Sequence, residues 1–183
     1  LCRKYRLKKY YLIIFLNLVF FPIILKAANI NVINVEQIIN NSIQYKSIIQ
    51  NIEASQNEYL LKFKLEEENL NTLQNEIENS KLILTQEEIN IKIDNYNNTL
   101  NNFTNLVDNF NQHYQNEVML IRKKILEQII VLLEKYAKNN KVDLILDSNS
   151  YLIASNSINI TLIIEEQLSK ININLDFKNF EEN

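Results

Sequence analysis

The side chains that could carry out chemistry are few and far apart in this sequence. His113 is the only histidine and Cys2 the only cysteine, whereas a zinc site needs three or four such ligands. Glu66, Glu67 and Glu68 could act as acid and base only inside a pocket that tunes them. The sequence also contains no glycine, which excludes the glycine-rich loops that bind phosphate groups. We therefore predict that the protein is not an enzyme and has neither a metal nor a cofactor.

The elements that would have to position these residues are long helices. Apolar residues recur at alternating steps of three and four, which is the pattern of a coiled coil. The first series, interrupted by three polar residues, is Ile49, Ile52, Gln56, Tyr59, Phe63, Glu66, Leu70, Leu73, Ile77, Ser80 and Leu84. The second is Ile93, Tyr96, Leu100, Phe103, Val107, Phe110 and Tyr114, and it continues to Tyr136 with a register shift near Val118. We expect the glutamates to form a solvated helix face and His113 to lie beside the second apolar series.

A capping box separates the two series. Thr85 is followed three positions later by Glu88, and this pair satisfies free backbone N–H groups at the start of a helix. The first helix is predicted to end near Ile83 or Leu84, and the second to run from about Gln86 to Lys138. Two helices of similar length joined by a short turn must lie antiparallel.

Short β elements are predicted on both sides of this helical hairpin. The β-branched run Asn29 to Glu36 is predicted to form a strand, and Val142 to Leu146 a second one. A turn would then lead to a strand at Tyr151 to Ala154. Thr161 would cap a short helix from Leu162 to Leu168. The fold class is therefore α+β, predominantly α, with a long antiparallel coiled-coil hairpin projecting from a small β body.

The first 27 residues have the layout of a secretory signal peptide. Basic residues between positions 3 and 9 precede an apolar stretch from Tyr11 to Leu25, and Ala27 follows. This stretch contains Pro22 and is shorter than the roughly 20 residues that a membrane-spanning helix needs. We predict cleavage near Ala27, export, and membrane contact only through this segment before cleavage. The domains would be the signal peptide (1–27), the body (28–36 and 139–183) and the arm (37–138), with the arm tip near 82–86.

Cleavage would change the charge of the protein. It would remove six of the 19 basic residues and none of the 22 acidic ones, which leaves a net charge of −9. Nucleic-acid binding depends on the neutralisation of phosphates by Lys and Arg. We therefore predict that nucleic acid is not a partner.

The order of these elements and several short strings resemble the OmpH/Skp family of periplasmic chaperones over the whole exported chain. The strings are Ile30 to Val35, Tyr45-Lys46, Leu84 to Glu88, Tyr136 to Lys138, Val142 to Ser148 and Ile158 to Thr161. Three features depart from the family. A glycine commonly precedes the second strand, whereas Asn140 and Lys141 occupy that stretch here. Asn159 stands where an acidic residue is usual, and the exported chain is acidic whereas well-studied members are basic.

The resemblance implies a periplasmic homotrimer in which the β bodies associate and three arms surround a cavity. It also implies an ATP-independent chaperone whose partners are unfolded outer-membrane proteins and further copies of itself. The residues that we expect to hold the trimer body together are Val32, Ile33, Leu144 and Leu146. The residues that we expect to face clients from the arm are Leu61, Leu65, Ile89, Ile91 and Leu106.

An alternative belongs to a different functional class. If the signal segment were retained, the same coiled coil could serve as an envelope scaffold anchored in the inner membrane, with no chaperone activity. Fractionation with membranes and an intact N-terminus would distinguish this alternative from the exported chaperone.

Overall fold

The computed structural model describes residues 27–181. In chain order the elements are β1 (Ile30–Ile33), α1 (Val35–Asn41), α2 (Ile43–Ser80), α3 (Gln86–Asn140), β2 (Leu144–Asp147) and α4 (Thr161–Ser169). Single 3₁₀ turns lie at Ser148–Ser150 and Asn156–Ile158. The chain is predominantly helical with a small two-stranded sheet, which confirms the predicted fold class at this level. Apart from Ala27, the predicted signal peptide lies outside the described residues.

The two long helices pack side by side and antiparallel, because the residues in contact run in opposite order along the two helices. Near the connecting turn, Lys92 Nζ of α3 lies 3.5 Å from Glu76 Oε2 of α2. Further from the turn, the hydroxyl groups of Ser55 and Tyr114 are 2.8 Å apart. Among the described helices, none combines the length and apolar character that a membrane span requires.

The two apolar series predicted from the sequence form the contact between these helices. In α2 the buried members are Ile52, Phe63, Leu70 and Ile77. In α3 they are Phe110, Tyr114, Ile121, Ile125, Ile129 and Leu132. The burial is most complete near the body, where Ile121, Ile125 and Ile129 are fully enclosed, so this end of the helix pair is the best packed.

The connection between the helices contains the predicted capping box. The Thr85 hydroxyl accepts from the Glu88 N–H at 3.4 Å, and the Glu88 carboxylate accepts from the Thr85 N–H at 2.9 Å. The first helix ends at Ser80, earlier than predicted. The amides of Ile83 and Leu84 both donate to the Ser80 carbonyl, so these residues form a separate turn that leads into the cap.

The sheet is parallel, and its pairing joins Ile30 to Leu144 and Ile33 to Asp147. Parallel strands require a long crossover, and here the crossover consists of α1, α2 and α3. The first strand is shorter than predicted because Asn34 ends it. The Asn34 side chain accepts from the Gln37 N–H at 2.9 Å and so caps α1.

The strand predicted at Tyr151 to Ala154 was wrong. These residues have no regular structure, and Leu152 and Ile153 are exposed to solvent. The second neighbour of β1 is instead the chain just before α4. A bridge links Val32 to Asn159, and the Ile160 N–H donates to the Val32 carbonyl at 2.9 Å. This segment covers an edge of β1 that would otherwise have free backbone groups.

Helix α4 begins at Thr161, one residue earlier than predicted, and Thr161 does not cap it. The Thr161 hydroxyl instead accepts from the Asn34 N–H at 2.9 Å. The side chain of Asn159 accepts from the Thr161 N–H at 2.9 Å. Thr161 therefore links α4 to the start of α1. The Asn159 side chain bonds a free N–H group at the start of α4 instead.

Residues 171–180, which we call the tail, follow α4 but do not lie in the body. They run along α2 and α3, and Phe180 belongs to the same buried cluster as Phe63 and Phe110. The predicted body range, 139–183, includes the tail, whose described residues pack on the helix pair.

Candidate functional site

The tail alternates between inward and outward side chains. Four apolar residues at every second position are half-buried against the core, and the polar residues between them are exposed. The half-buried residues are Ile171, Ile173, Leu175 and Phe177. This alternation with a period of two is typical of an extended chain with one buried face. The same alternation is visible in the sequence and is the signal from which an extended, docked segment could have been predicted.

The length that the tail covers agrees with an extended backbone. Its first residues contact Gln44 and its last contacts Tyr59. These positions on α2 are separated by roughly 22 Å, given a rise of about 1.5 Å per residue. Ten residues can span at most about 33 Å, so the tail is largely stretched out along the helix.

Side chains of α2 hold the backbone of the tail at both ends. The Gln44 amide donates to the Ile171 carbonyl at 2.7 Å and accepts from the Ile173 N–H at 2.8 Å. At the other end, the Tyr59 hydroxyl donates to the Phe180 carbonyl at 2.7 Å. Ser55 contacts a side chain rather than the backbone, since its hydroxyl donates to Asn179 Oδ1 at 2.9 Å.

Side chains of α3 hold the opposite side of the tail. His113 Nε2 lies 2.7 Å from the Lys178 carbonyl, and Glu117 accepts from the Lys178 N–H at 3.1 Å. Lys124 forms an ion pair with Asp176. The hydrogen bond from Lys124 lowers the pKa of the Asp176 carboxylate. We call the surface formed by Gln44, Ser55, Tyr59, His113, Glu117 and Lys124 the arm groove.

An aromatic cluster receives the end of the tail. Phe180 is buried, with an exposed fraction of 9 %. Its centroid lies 5.3 Å from that of Tyr59, 5.5 Å from Phe110 and 5.7 Å from His113. Edge-on contacts of this kind contribute beyond simple burial. His113 therefore takes part in packing and in tail binding, and no group of metal-binding side chains lies anywhere in residues 27–181.

The arm groove continues past Phe180 towards the tip as an open cleft of about 370 Å³. Its apolar walls are Phe63, Phe103 and Leu106, and its polar walls include Glu66 and Thr99. The opposite face of the helix pair has a larger open cleft of about 740 Å³, with Leu60 and Leu100 at its edges. Both clefts are open surfaces between the two helices.

The five residues predicted to face clients differ in how exposed they are and in where they lie on the arm. Leu61 and Leu65 are 69 % and 67 % exposed on α2, and Ile91 is 56 % exposed near the tip. Leu106 is half-buried and lines the cleft beyond the tail. Ile89 is buried at 7 % exposure, so its prediction as an exposed residue was wrong. It lies one helical step before Ile93 and extends the apolar series.

The four residues predicted for the trimer body also differ in exposure. Val32 and Ile33 are each only 2 % exposed within a single chain, so their side chains pack inside the body. Leu146 is half-buried and Leu144 is 46 % exposed. Sequence reasoning missed other apolar residues that are exposed at this end of the molecule, namely Ile130, Val131, Leu152, Ile153, Leu162 and Ile163.

Comparison with known proteins identifies the family. The family model described as outer membrane protein (OmpH-like) matches residues 29–168, which is most of the chain. The chain belongs to the OmpH-like family. Among curated proteins, no sequence matches this OmpH-like chain. The matched region ends at α4, so the tail lies beyond it.

A solved structure has the same fold. It is the crystal structure of an outer membrane chaperone (OmpH-like) from Caulobacter crescentus. The TM-score is 0.62 at 13 % sequence identity, and the match covers 86 % of this chain and 93 % of the other. Membership of the OmpH-like family supports a chaperone role and confirms the resemblance found in the sequence.

Proposed function

We propose that this OmpH-like protein is an ATP-independent periplasmic holdase for unfolded outer-membrane β-barrel proteins. The observation that carries the proposal is the surface of the long helix pair, where large apolar side chains are exposed beside open clefts. Leu60, Leu61 and Leu65 are all more than half exposed on α2. Large exposed apolar surfaces mark interaction sites, and many weak contacts can hold a client without a specific pocket.

The proposed clients have a matching chemistry. Strands of outer-membrane barrels alternate apolar and polar residues, and their edges stay unpaired until the barrel closes. A chaperone that encloses such chains between long arms keeps them apart without reading a particular sequence. The acidic exported chain would favour basic clients or basic client regions, and this attraction would weaken with salt.

The proposed active form is a homotrimer held together by the body. A two-stranded sheet is only marginally stable alone, and here it is accompanied by exposed apolar residues. Leu144 on β2, Leu152 and Leu162 are exposed at this end of the single chain. Their burial between three copies would remove apolar surface from water and would leave the α2–α3 arms free to surround a client.

Light scattering with inline chromatography on residues 28–183 tests the proposal. The expected result is a trimer that keeps a urea-unfolded outer-membrane protein in a defined complex after dilution. An unfolded cytosolic protein of similar length serves as the comparison client. A monomer or dimer that leaves the barrel protein to aggregate would contradict the proposal and would favour the membrane-anchored scaffold.

A further inference from the structure

We propose that the arm groove is a docking site for extended client segments with alternating apolar residues, and that the tail is its displaceable internal occupant. The inference rests on the proposed function, since it specifies where and how the chaperone holds its client. The occupant to which we commit is a strand-like segment of an unfolded β-barrel protein.

Most of the hydrogen bonds between the groove and the tail are made to backbone groups of the tail, which every polypeptide has. Gln44 bonds both an N–H and a carbonyl of the tail, as one strand does to its neighbour. His113, Glu117 and Tyr59 bond three further backbone groups. Recognition of this kind, through the main chain with shallow contacts for alternate side chains, accepts many sequences.

The pattern and length of the tail match the proposed client. The tail has ten residues, with apolar side chains at alternate positions from Ile171 to Phe177 and Phe180 at its end. A barrel strand that crosses the membrane has about 9 to 11 residues and the same alternation. The tail therefore shows which kind of segment the groove can hold.

The open cleft beyond Phe180 gives a longer client segment room to continue. It lies on the same face of the helices as the groove, because its wall residue Glu66 lies two helical turns after Tyr59 and its wall residue Thr99 lies four turns before His113. A client segment longer than the tail could fill both the groove and the cleft. In the absence of client, the tail covers the groove and keeps it from binding other copies.

The attachment of the tail is suited to exchange. Its outward residues Asn172, Asn174 and Asp176 are exposed, and α2 and α3 bind it through side chains rather than through a strand ladder. Among residues 171–180 only Phe180 is buried, and segments with few buried contacts open at lower free-energy cost than the core. A client with several such segments can compete with a tethered tail because its contacts act together.

The test uses a disulfide that closes the groove in the exported form, residues 28–183, which has no cysteine of its own. Ser55→Cys and Asn179→Cys replace two side chains that already meet at 2.9 Å. We expect the oxidised double variant to bind an unfolded barrel protein several-fold more weakly than the same sample after reduction. The opposite change, Phe180→Ala in the full exported chain, should loosen the tail and strengthen binding. Asn174→Ala, at an exposed tail position, is the matched control and should bind as the unaltered protein does.

Two outcomes would overturn the inference while leaving the chaperone intact. They are equal client binding by oxidised and reduced samples, and weaker binding by Phe180→Ala whose helical circular dichroism is unchanged. Either would make the tail a permanent structural strap. Failure of the proposed function itself has a different signature, because then the unaltered protein would not hold the client at all. A synthetic peptide with alternating apolar residues still tests the groove in that case, since it should bind Phe180→Ala more tightly than the oxidised variant, and equal binding would refute the groove.

Discussion

Arg122 of α3 donates from Nη2 to both carboxylate oxygens of Glu36 of α1, at 2.6 and 2.5 Å. Its Nη1 also donates to the Tyr45 hydroxyl of α2 at 3.3 Å. The hydrogen bond that Arg122 donates to Glu36, followed by the one that it donates to Tyr45, raises the pKa of the Arg122 guanidinium. One side chain thus joins the short helix of the body to both long helices, at the point where they leave it.

This junction predicts a measurable coupling between Arg122 and Glu36. In a double-mutant cycle with Arg122→Lys and Glu36→Gln, we expect a coupling free energy of about 0.5 kcal/mol, because both side chains are partly exposed and screened. A Lys side chain at position 122 lacks the planar guanidinium that bonds Glu36 and Tyr45 at the same time. Urea unfolding of the four proteins gives the value, and it should decrease in high salt. A coupling of zero at low salt would show that the ion pair does not stabilise the junction.

Asp147 predicts a pH dependence of stability. Burial raises the pKa of its carboxylate, but this effect is outweighed by hydrogen bonds from the backbone of Asn149, Val35 and Ser148, so the pKa is lowered. The bond to the Val35 N–H, at 3.2 Å, ties the end of β2 to the start of α1. Because the pKa of Asp147 is lower in the folded state than its ordinary value of 3.8, the ionised carboxylate stabilises the fold fully above that pH. This stabilisation is lost as the pH falls through the folded value.

The corresponding measurement compares the free energy of unfolding of the unaltered protein and Asp147→Asn between pH 3 and pH 7. We expect a loss of about 1 kcal/mol at neutral pH, and a smaller difference as the solution is acidified below about pH 4. Asp94→Asn, at an exposed position of α3, is the comparison and should change the free energy of unfolding little at neutral pH. A difference between Asp147→Asn and the unaltered protein that stays constant over this range would contradict the assigned role.

Local signals in the sequence predicted the helical part of the fold well. The capping box at Thr85 and Glu88 depends on residues three positions apart, and the apolar series depends on a period that a helix imposes on its neighbours. Such signals need no knowledge of distant partners. Even the error at Ile89 is local, since the series continues one step further than we followed it.

The parts that were wrong or missed depend on contacts between distant residues. Thr161 has the right type for a helix cap, but its hydroxyl bonds the Asn34 N–H on the other side of the body. Leu152 and Ile153 have the composition of a strand but no strand beside them. The tail shows clear alternation, yet nothing nearby in the sequence indicates that α2 and α3 would receive it. The arm groove is assembled from positions 44 to 124, and no local motif describes it.

A charged substitution at Leu144 tests whether the body holds the proposed trimer together. It is 46 % exposed although it lies in a strand, and a charged residue there would be placed between subunits of the proposed trimer. We expect Leu144→Asp to give a folded protein of lower molecular mass in light scattering, because an unpaired charge is costly to bury. Leu82→Asp at the exposed arm tip is the matched control and should stay trimeric. A trimer of unchanged stability for Leu144→Asp would exclude this surface from the subunit contact.

The exposed apolar residues of the arm predict a variant that folds but loses activity. The combined change of Leu61→Ser, Leu65→Ser and Ile91→Ser removes large side chains that are more than half exposed. Exposed positions usually change stability by no more than about 0.5 kcal/mol each, so the helical signal and the oligomeric state should be retained. Suppression of aggregation of an unfolded barrel protein should fall markedly, because fewer weak contacts act together. The matched control changes three exposed polar residues of the same helices, Asn57→Ser, Asn75→Ser and Asn95→Ser, and should suppress aggregation normally. If the triple leucine and isoleucine variant protected the client as well as this control, contacts by Leu61, Leu65 and Ile91 would not contribute to client binding.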